Sequence, residues 1–424
     1  MERSTYENYV ALLKSELVPA MGCTEPISIA YACALAKKYL FDDILEVHLI
    51  ISSNIIKNVK SVVVPNTGGL KGIYAAASCG ILFGDADKVL EVIANVGDSS
   101  KSAIEEYMAN TKFTLEESKL NNNFDLDVIL KGYEHTSEVR IVGKHTNVCL
   151  IKHDDNIIFK KDFINYKEET KVDRSFLNVL DIVEFADNVN LDDVKEILER
   201  QIKYNMAIAE EGLKNNYGAC IGQILITHKQ DILTKVRAYA ASASDARMGG
   251  CELPVIINSG SGNQGITTSV PVVVYAKEHG MEYEKLLRAL TLSNLITMHL
   301  KTGIGSLSAY CGVICAGVGA ASGICYLKGG KYHEISHTIV NALAIDSGVI
   351  CDGAKASCAA KIASAIDSAI LGMHMVEYGK EFCAGEGIVT KGVENTIKNV
   401  GRLASDGMKK TDEEIINIMI RSNC

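Results

Sequence analysis

The residues whose chemistry is easiest to read are the cysteines of the C-terminal half. Cys311, Cys315 and Cys325 lie in one Gly/Ala-rich segment, and Cys351 and Cys358 flank Asp352-Gly353-Ala354-Lys355-Ala356-Ser357. No C-x2-C pair occurs, so neither the common zinc module nor the bacterial ferredoxin run is present. Two readings stand side by side. The cysteines are small core side chains between helices. Alternatively, Cys351 and Cys358 flank a turn that opens a helix, Cys311 arrives from a neighbouring helix, and three thiolates hold an iron–sulfur cluster. Three ligands, not four, would leave one iron free to act as a Lewis acid, whereas a fully ligated cluster mostly transfers electrons.

Cys23 is a separate case. It precedes Thr24, a good N-cap, and Pro26, which suits a first helical turn. A helix N-terminus stabilises a thiolate and lowers its pKa toward neutral. Cys23 is therefore a candidate base or nucleophile, with a structural role as the alternative.

Two glycine-rich turns could bind anions. Asn258-Ser259-Gly260-Ser261-Gly262-Asn263-Gln264-Gly265 follows the apolar run 253–257. Consecutive backbone N–H groups at a helix start make an anion site. Ser259, Gly260, Ser261, Asn263 and Gln264 could fix an amino-acid carboxylate there. The second turn is Asn66-Thr67-Gly68-Gly69, with Lys71 beyond it. Neither is a Walker A or Rossmann fingerprint, and either could be a plain loop. No Ser-His-Asp order or His-Glu-x-x-His motif is visible, and no lysine stands out for pyridoxal phosphate. His299 and His374 read as ordinary helical residues. Cys424 ends the chain, as a flexible tail or as a residue folded back toward a metal site.

These residues need a large scaffold to position them. The 424 residues are 47% hydrophobic and 22% charged, which excludes disorder over most of the length and suits two domains. Lys+Arg total 43 against 52 Asp+Glu, a net charge of −9, so the basic excess of a nucleic-acid binder is missing. The 13 cysteines are too sparse for a disulfide scaffold. The opening MERSTYENYVALLKSEL lacks an apolar signal region, so a cytoplasmic, reduced chain is expected. The uncharged stretch 302–327 imitates a membrane span, but its small residues point to a buried central helix, and no membrane is expected as a partner.

The periodicity predicts a helix over 5–18 and another over 27–39. A smaller α/β lobe follows, with β-like runs at 45–51 and 61–64, helical pieces around 72–83, 85–96 and 101–109, and four strands at 124–130, 137–142, 147–153 and 157–159. From about 174 the pattern is helical, over 194–213, 230–243, 283–300, 306–327, 334–345, 354–375 and 412–420. The expected fold is α+β, a large helical domain with an inserted α/β lobe. Residues 1–42 form N-terminal helices that pack on the helical domain, 43–172 form the lobe, and 173–424 form the helical domain that carries the cysteines.

Taken in order, Met21-Gly22-Cys23-Thr24-Glu25-Pro26, Ser259-Gly260-Ser261-Gly262-Asn263-Gln264-Gly265, Cys311-Gly312-Val313-Ile314-Cys315 and Cys351-Asp352-Gly353-Ala354-Lys355-x-x-Cys358 resemble the iron–sulfur L-cysteine desulfidases. That family is related to the α-chain of bacterial iron–sulfur L-serine dehydratase. The resemblance covers essentially the whole chain. It implies a pyridoxal-independent, oxygen-sensitive carbon–sulfur lyase that converts L-cysteine to pyruvate, ammonia and sulfide. It further implies Cys311, Cys351 and Cys358 as ligands of a [4Fe–4S] cluster, with gaps of 40 and 7 residues similar to the family's. Cys315, one helical turn from Cys311, is the alternative ligand, and Cys23 corresponds to the family's proton acceptor. The open iron would bind the substrate sulfur, the Gly260 turn would hold the carboxylate, and Cys23 would remove the Cα proton. L-serine is the rival substrate, and a non-catalytic iron–sulfur sensor is the rival function. The expected partner is a small amino acid, with a homodimer as one option for assembly.

Overall fold

In a computed structural model the chain is described for all residues except 23, 121, 123, 164–172, 306–307 and 422–424. The fold is α+β, with two hydrophobic cores. α1 (Arg3–Glu16) and β1 (Pro19–Met21) lead into α2 (Thr24–Lys38). The lobe continues with β2 (Glu46–Ile51), α3 (Ser53–Val59), α4 (Gly72–Phe83), α5 (Lys101–Asn110) and β3 (Lys112–Glu117). It closes with β4 (Asp125–Lys131), β5 (Thr136–Val142), β6 (Val148–His153) and β7 (Asn156–Lys160). These strands form one sheet in the order β3-β2-β4-β5-β6-β7. The β2–β3 pair is parallel and the other neighbours are antiparallel. Val47, Leu49 and Ile51 alternate into the lobe core, as a strand with one covered face requires. α2 and α4 cover that face. They pack so tightly that a Cβ on Gly80 would strike the backbone of Ala30.

The helical domain comprises α6 (Val179–Asn188), α7 (Lys195–Lys214), α8 (Ile221–His228), α9 (Ile232–Met248), β8 (Pro254–Ile256) and α10 (Gly262–Glu278). It continues with α11 (Tyr283–Thr302), α12 (Val313–Leu327), α13 (Tyr332–Ile345), α14 (Ser357–Glu377), α15 (Val393–Arg402) and α16 (Lys409–Arg421). Every residue of α12 is buried, and the helix packs against α10, α11, α13 and α14. Its glycines and alanines let those neighbours approach closely.

Several expectations change on contact with the structure. α1 lies in the helical core through Tyr9, Leu12 and Leu13, but α2 lies in the lobe core through Ile29, Ala30 and Cys33. The division therefore falls at β1, which pairs with β8 of the helical domain, and not at residue 42. The run 61–64 contributes only an isolated bridge between Val63 and Lys71, because α3 occupies the preceding residues. The 85–96 stretch holds a 3-10 helix over Ala86–Glu91 instead of an α-helix. The uncharged stretch 302–327 contains a helix of 15 residues, shorter than the roughly 20 needed to cross a bilayer. Among the described residues one helix, α14, is long and apolar enough to span by length and composition. It packs on α9, α12 and α13.

Candidate active site

Two backbone hydrogen bonds bring the distant cysteines together. Cys311 N donates to Val349 O at 2.8 Å, and Cys351 N donates to Ala309 O at 2.6 Å. This small antiparallel bridge, centred on Tyr310 and Ile350, sets Cys311 beside Cys351 just before α12 begins. Cys358 sits in the first turn of α14. Gly353 makes the turn between the last two cysteines, with φ of +94°. A Cβ there would fall far inside contact distance of Lys57 O, so only glycine lets this loop lie against α3.

All three thiols line one cavity of about 150 Å³. By the usual allowance of about 10–15 Å³ per water centre, that is room for roughly ten waters, or a small metabolite. The glycine-rich turn lines the same cavity, contributing Ser259, Gly260, Ser261, Asn263 and Gln264, and the Gln264 side chain packs on Gly312 next to Cys311. The turn is closed by reciprocal Asn258–Ser261 backbone hydrogen bonds. Ser261 caps α10. Gly260 has φ of +77° and open space where a Cβ would stand. Expected donors for a carboxylate and the three cysteines thus line one small space.

The cavity is strongly cationic. Lys57, Arg247 and Lys301 line it, and each is more than nine-tenths buried. Lys57 Nζ pairs with Asp412 Oδ1 of α16 at 2.6 Å. Arg247 Nη1 donates to Asn263 Oδ1 at 3.2 Å, and its Nη2 donates to Gly22 O at 2.9 Å. One guanidinium therefore ties the glycine turn to the strand end before α2. Thr24 and Glu25 of α2 complete this side of the cavity. Sequence reasoning missed the cations, since a lone lysine or arginine reads as solvated until its neighbours are known.

The thiols divide by environment. A hydrogen bond from Cys311 and the nearby Lys57 ammonium push Cys351 toward the thiolate. The same hydrogen bond, with burial, pushes Cys311 up. Burial also raises Cys358. Cys315 lies inside α12, away from the cavity lining, and burial raises its thiol to about 11.

One expectation parts company with this geometry. Asn66 and Thr67 do not line the cavity. The Asn66 amide donates to Ile93 O at 2.8 Å and the Thr67 hydroxyl to Val64 O at 2.7 Å, so both side chains hold the lobe's own loops. Cys23 and Cys424 lie outside the described residues.

The residues present suit an iron–sulfur centre. Thiolates are its natural ligands, and the lysines offset their charge. Three polar atoms of the lining, Arg247 Nε, Gln264 Oε1 and Tyr310 Oη, are buried with no protein partner. A bound ligand or ordered water would satisfy them, as water would the buried polar atoms without a protein partner elsewhere among the described residues.

The serine dehydratase alpha chain family model matches residues 87–417. A UPF0597 protein of Desulfitobacterium hafniense is 54% identical over 99% of this chain and 98% of its own length. Another from Treponema denticola is 47% identical over 99% of both chains. A third, from Lachnoclostridium phytofermentans, is 48% identical over 98% of this chain and all of its own. The match spans the glycine turn and all three thiols, and the chain belongs to the serine dehydratase alpha chain family, whose chemistry is that of an iron–sulfur lyase.

Proposed function

We propose that the protein is a pyridoxal-independent L-cysteine desulfidase that uses a [4Fe–4S] cluster with one open iron. The observation that carries this reading is one small cavity lined together by Cys311, Cys351 and Cys358 and by the Ser259–Gln264 turn with Arg247. Cys311, Cys351 and Cys358 would hold the cluster. When bound, it supplies a Lewis-acidic iron that weakens the bond to the leaving sulfur.

The chain's own residues do the rest. Arg247 and the N-terminus of α10 receive the substrate carboxylate, and the partnerless Gln264 Oε1 accepts from its ammonium. This orients the Cα–H bond. In the proposed step Cys23 takes that proton as a thiolate. The C–H electron pair becomes the Cα–Cβ double bond, and the Cβ–S pair leaves with sulfide. Aminoacrylate then hydrolyses to pyruvate and ammonia without further help. The small cavity limits bulk water while the proton is moved.

L-serine is the second reading, favoured by the name of the matching family. Anaerobic assay of sulfide and pyruvate from each amino acid separates the two. Sulfide from cysteine at the higher kcat/KM supports the proposal, and pyruvate from serine without sulfide from cysteine overturns it. The reading carries with it a cytoplasmic, oxygen-sensitive enzyme acting on a small amino acid.

A further inference from the structure

The lobe carries a second constellation that the proposed chemistry does not use. His135 lies in the β4–β5 turn, while His153 ends β6 and Asp154 begins the turn into β7. Nitrogen or oxygen atoms of all three lie within 4.8 Å of one another. Asp154 Oδ2 is 2.9 Å from His135 Nδ1 and 3.5 Å from His153 Nε2. A tetrahedral ion with bonds of about 2.1 Å separates its ligand atoms by about 3.4 Å. The triad is already close to that spacing.

Each group is also held from behind, as metal ligands are. His153 Nδ1 is 2.9 Å from Tyr39 O, just past α2. A carbonyl only accepts, so Nδ1 carries the proton. In the neutral ring Nε2 then turns a lone pair toward the Asp154 carboxylate, an arrangement that a cation, a proton or a bridging water relieves. Asp154 Oδ1 is occupied by the Thr136 backbone N–H at 2.8 Å, which leaves Oδ2 for the triad. The turn that presents His135 is fixed by Asp42, whose Oδ2 accepts from the backbone N–H groups of Glu134 at 2.8 Å and His135 at 3.2 Å.

We propose that His135, His153 and Asp154 form a site for a divalent transition-metal ion of the zinc type, bound by two imidazole nitrogens and one carboxylate oxygen, with water completing the coordination. Mixed imidazole and carboxylate ligands favour Zn²⁺, Co²⁺ or Ni²⁺ over Mg²⁺ and Ca²⁺. Binding displaces the proton between His135 Nδ1 and Asp154 Oδ2 into solvent. The ion joins two turns of the sheet, and His153 Nδ1 meets Tyr39 O just past the end of α2, whose N-terminal end lines the cavity. The site therefore braces the sheet of the lobe against the lobe's own helix α2, whose first turn helps shape the active centre.

The test is a Co²⁺ titration of the anaerobically purified full-length chain, read by equilibrium dialysis, visible absorption and thermal midpoint. His135→Ala and Asp154→Asn are titrated alongside. All thiols are common to the three chains, so any difference belongs to the triad. Wild type should bind one more Co²⁺ per chain than either variant, with weak ligand-field bands and no added thiolate charge transfer, and Co²⁺ should raise its thermal midpoint alone. His135 is a half-exposed turn residue and Asp154→Asn preserves size, so at least one variant remains folded for the comparison. Equal stoichiometry and equal thermal response in all three chains would overturn the proposal.

Discussion

Cys311 and Cys351 are set side by side at the cavity wall because Cys311 N bonds Val349 O and Cys351 N bonds Ala309 O, a two-rung backbone bridge. The bridge, and not a local motif, is what joins two segments far apart in the chain. Replacing Cys311, Cys351 or Cys358 with Ala should each abolish stable iron incorporation, measured as iron and acid-labile sulfide per chain after anaerobic reconstitution. Cys315→Ala should keep its iron and cost about 1 kcal/mol of stability, comparable to losing one buried methyl-sized group. Iron loss in Cys315→Ala with retention in Cys311→Ala would reverse the ligand choice.

Cys23→Ala should retain the iron content and visible absorption of the wild type and lose turnover. Turnover within about tenfold of wild type, a barrier change of only about 1.4 kcal/mol, would remove the proton-abstracting role.

Arg247 joins Gly22 to Asn263 and leaves its Nε without a protein partner. Arg247→Lys keeps the charge and loses the fork. A charge-assisted hydrogen bond is worth about 1.5–3 kcal/mol, so kcat/KM should fall roughly 10–100-fold while iron content is unchanged. An unaltered kcat/KM would mean the carboxylate is held elsewhere.

Much of this site was legible beforehand, and the failures have physical causes. The three thiols and the Ser259–Gln264 turn stood out because their residue types are rare in plain helices. Arg247, Lys57 and Lys301 did not, since a helical lysine or arginine reads as solvated until its neighbours are known. The Asn66–Gly69 turn has the composition of an anion nest, but its side chains bond inward to lobe carbonyls. β3, with the sequence Lys112-Phe-Thr-Leu-Glu-Glu117, escaped because only Phe113 and Leu115 are apolar in a short, charge-flanked edge strand. α10 escaped because its β-branched run and the internal Pro271 argue against helix, and tertiary packing overrides both. The Ala-rich texture of α2 suits either core, so the sequence could not say which one it would join.

Gly353 and Gly260 both have positive φ but differ in surroundings. Gly353→Ala should lower the thermal midpoint and iron incorporation together, because it meets the α3 backbone beside Lys57. Gly260→Ala should bind iron normally, cost about 1 kcal/mol for its left-handed backbone, and raise KM by placing a methyl in the substrate's space. Equal thermal losses in the two variants would contradict the close approach at Gly353.

Arg140 gives its fork to Asp125 at 2.8 and 2.7 Å, leaving Asp127 with a single contact at 3.4 Å. Burial, reinforced by Glu138, pushes the Asp127 carboxyl up to about 7. A folded value above the unfolded one means a contribution fully present below about pH 4 and lost as pH rises through about 7. Asp127→Asn should therefore raise the thermal midpoint at pH 8 far more than at pH 4.5, a difference on the order of 2 kcal/mol. The same shift at both pH values would show that Asp127 is ionised throughout.

The most direct test is an iron-57 Mössbauer spectrum of anaerobically reconstituted protein before and after addition of L-cysteine. The account predicts a four-iron cluster in which one iron changes its parameters with substrate while the other three hold theirs. A spectrum that substrate leaves untouched, or active protein without iron, would contradict it.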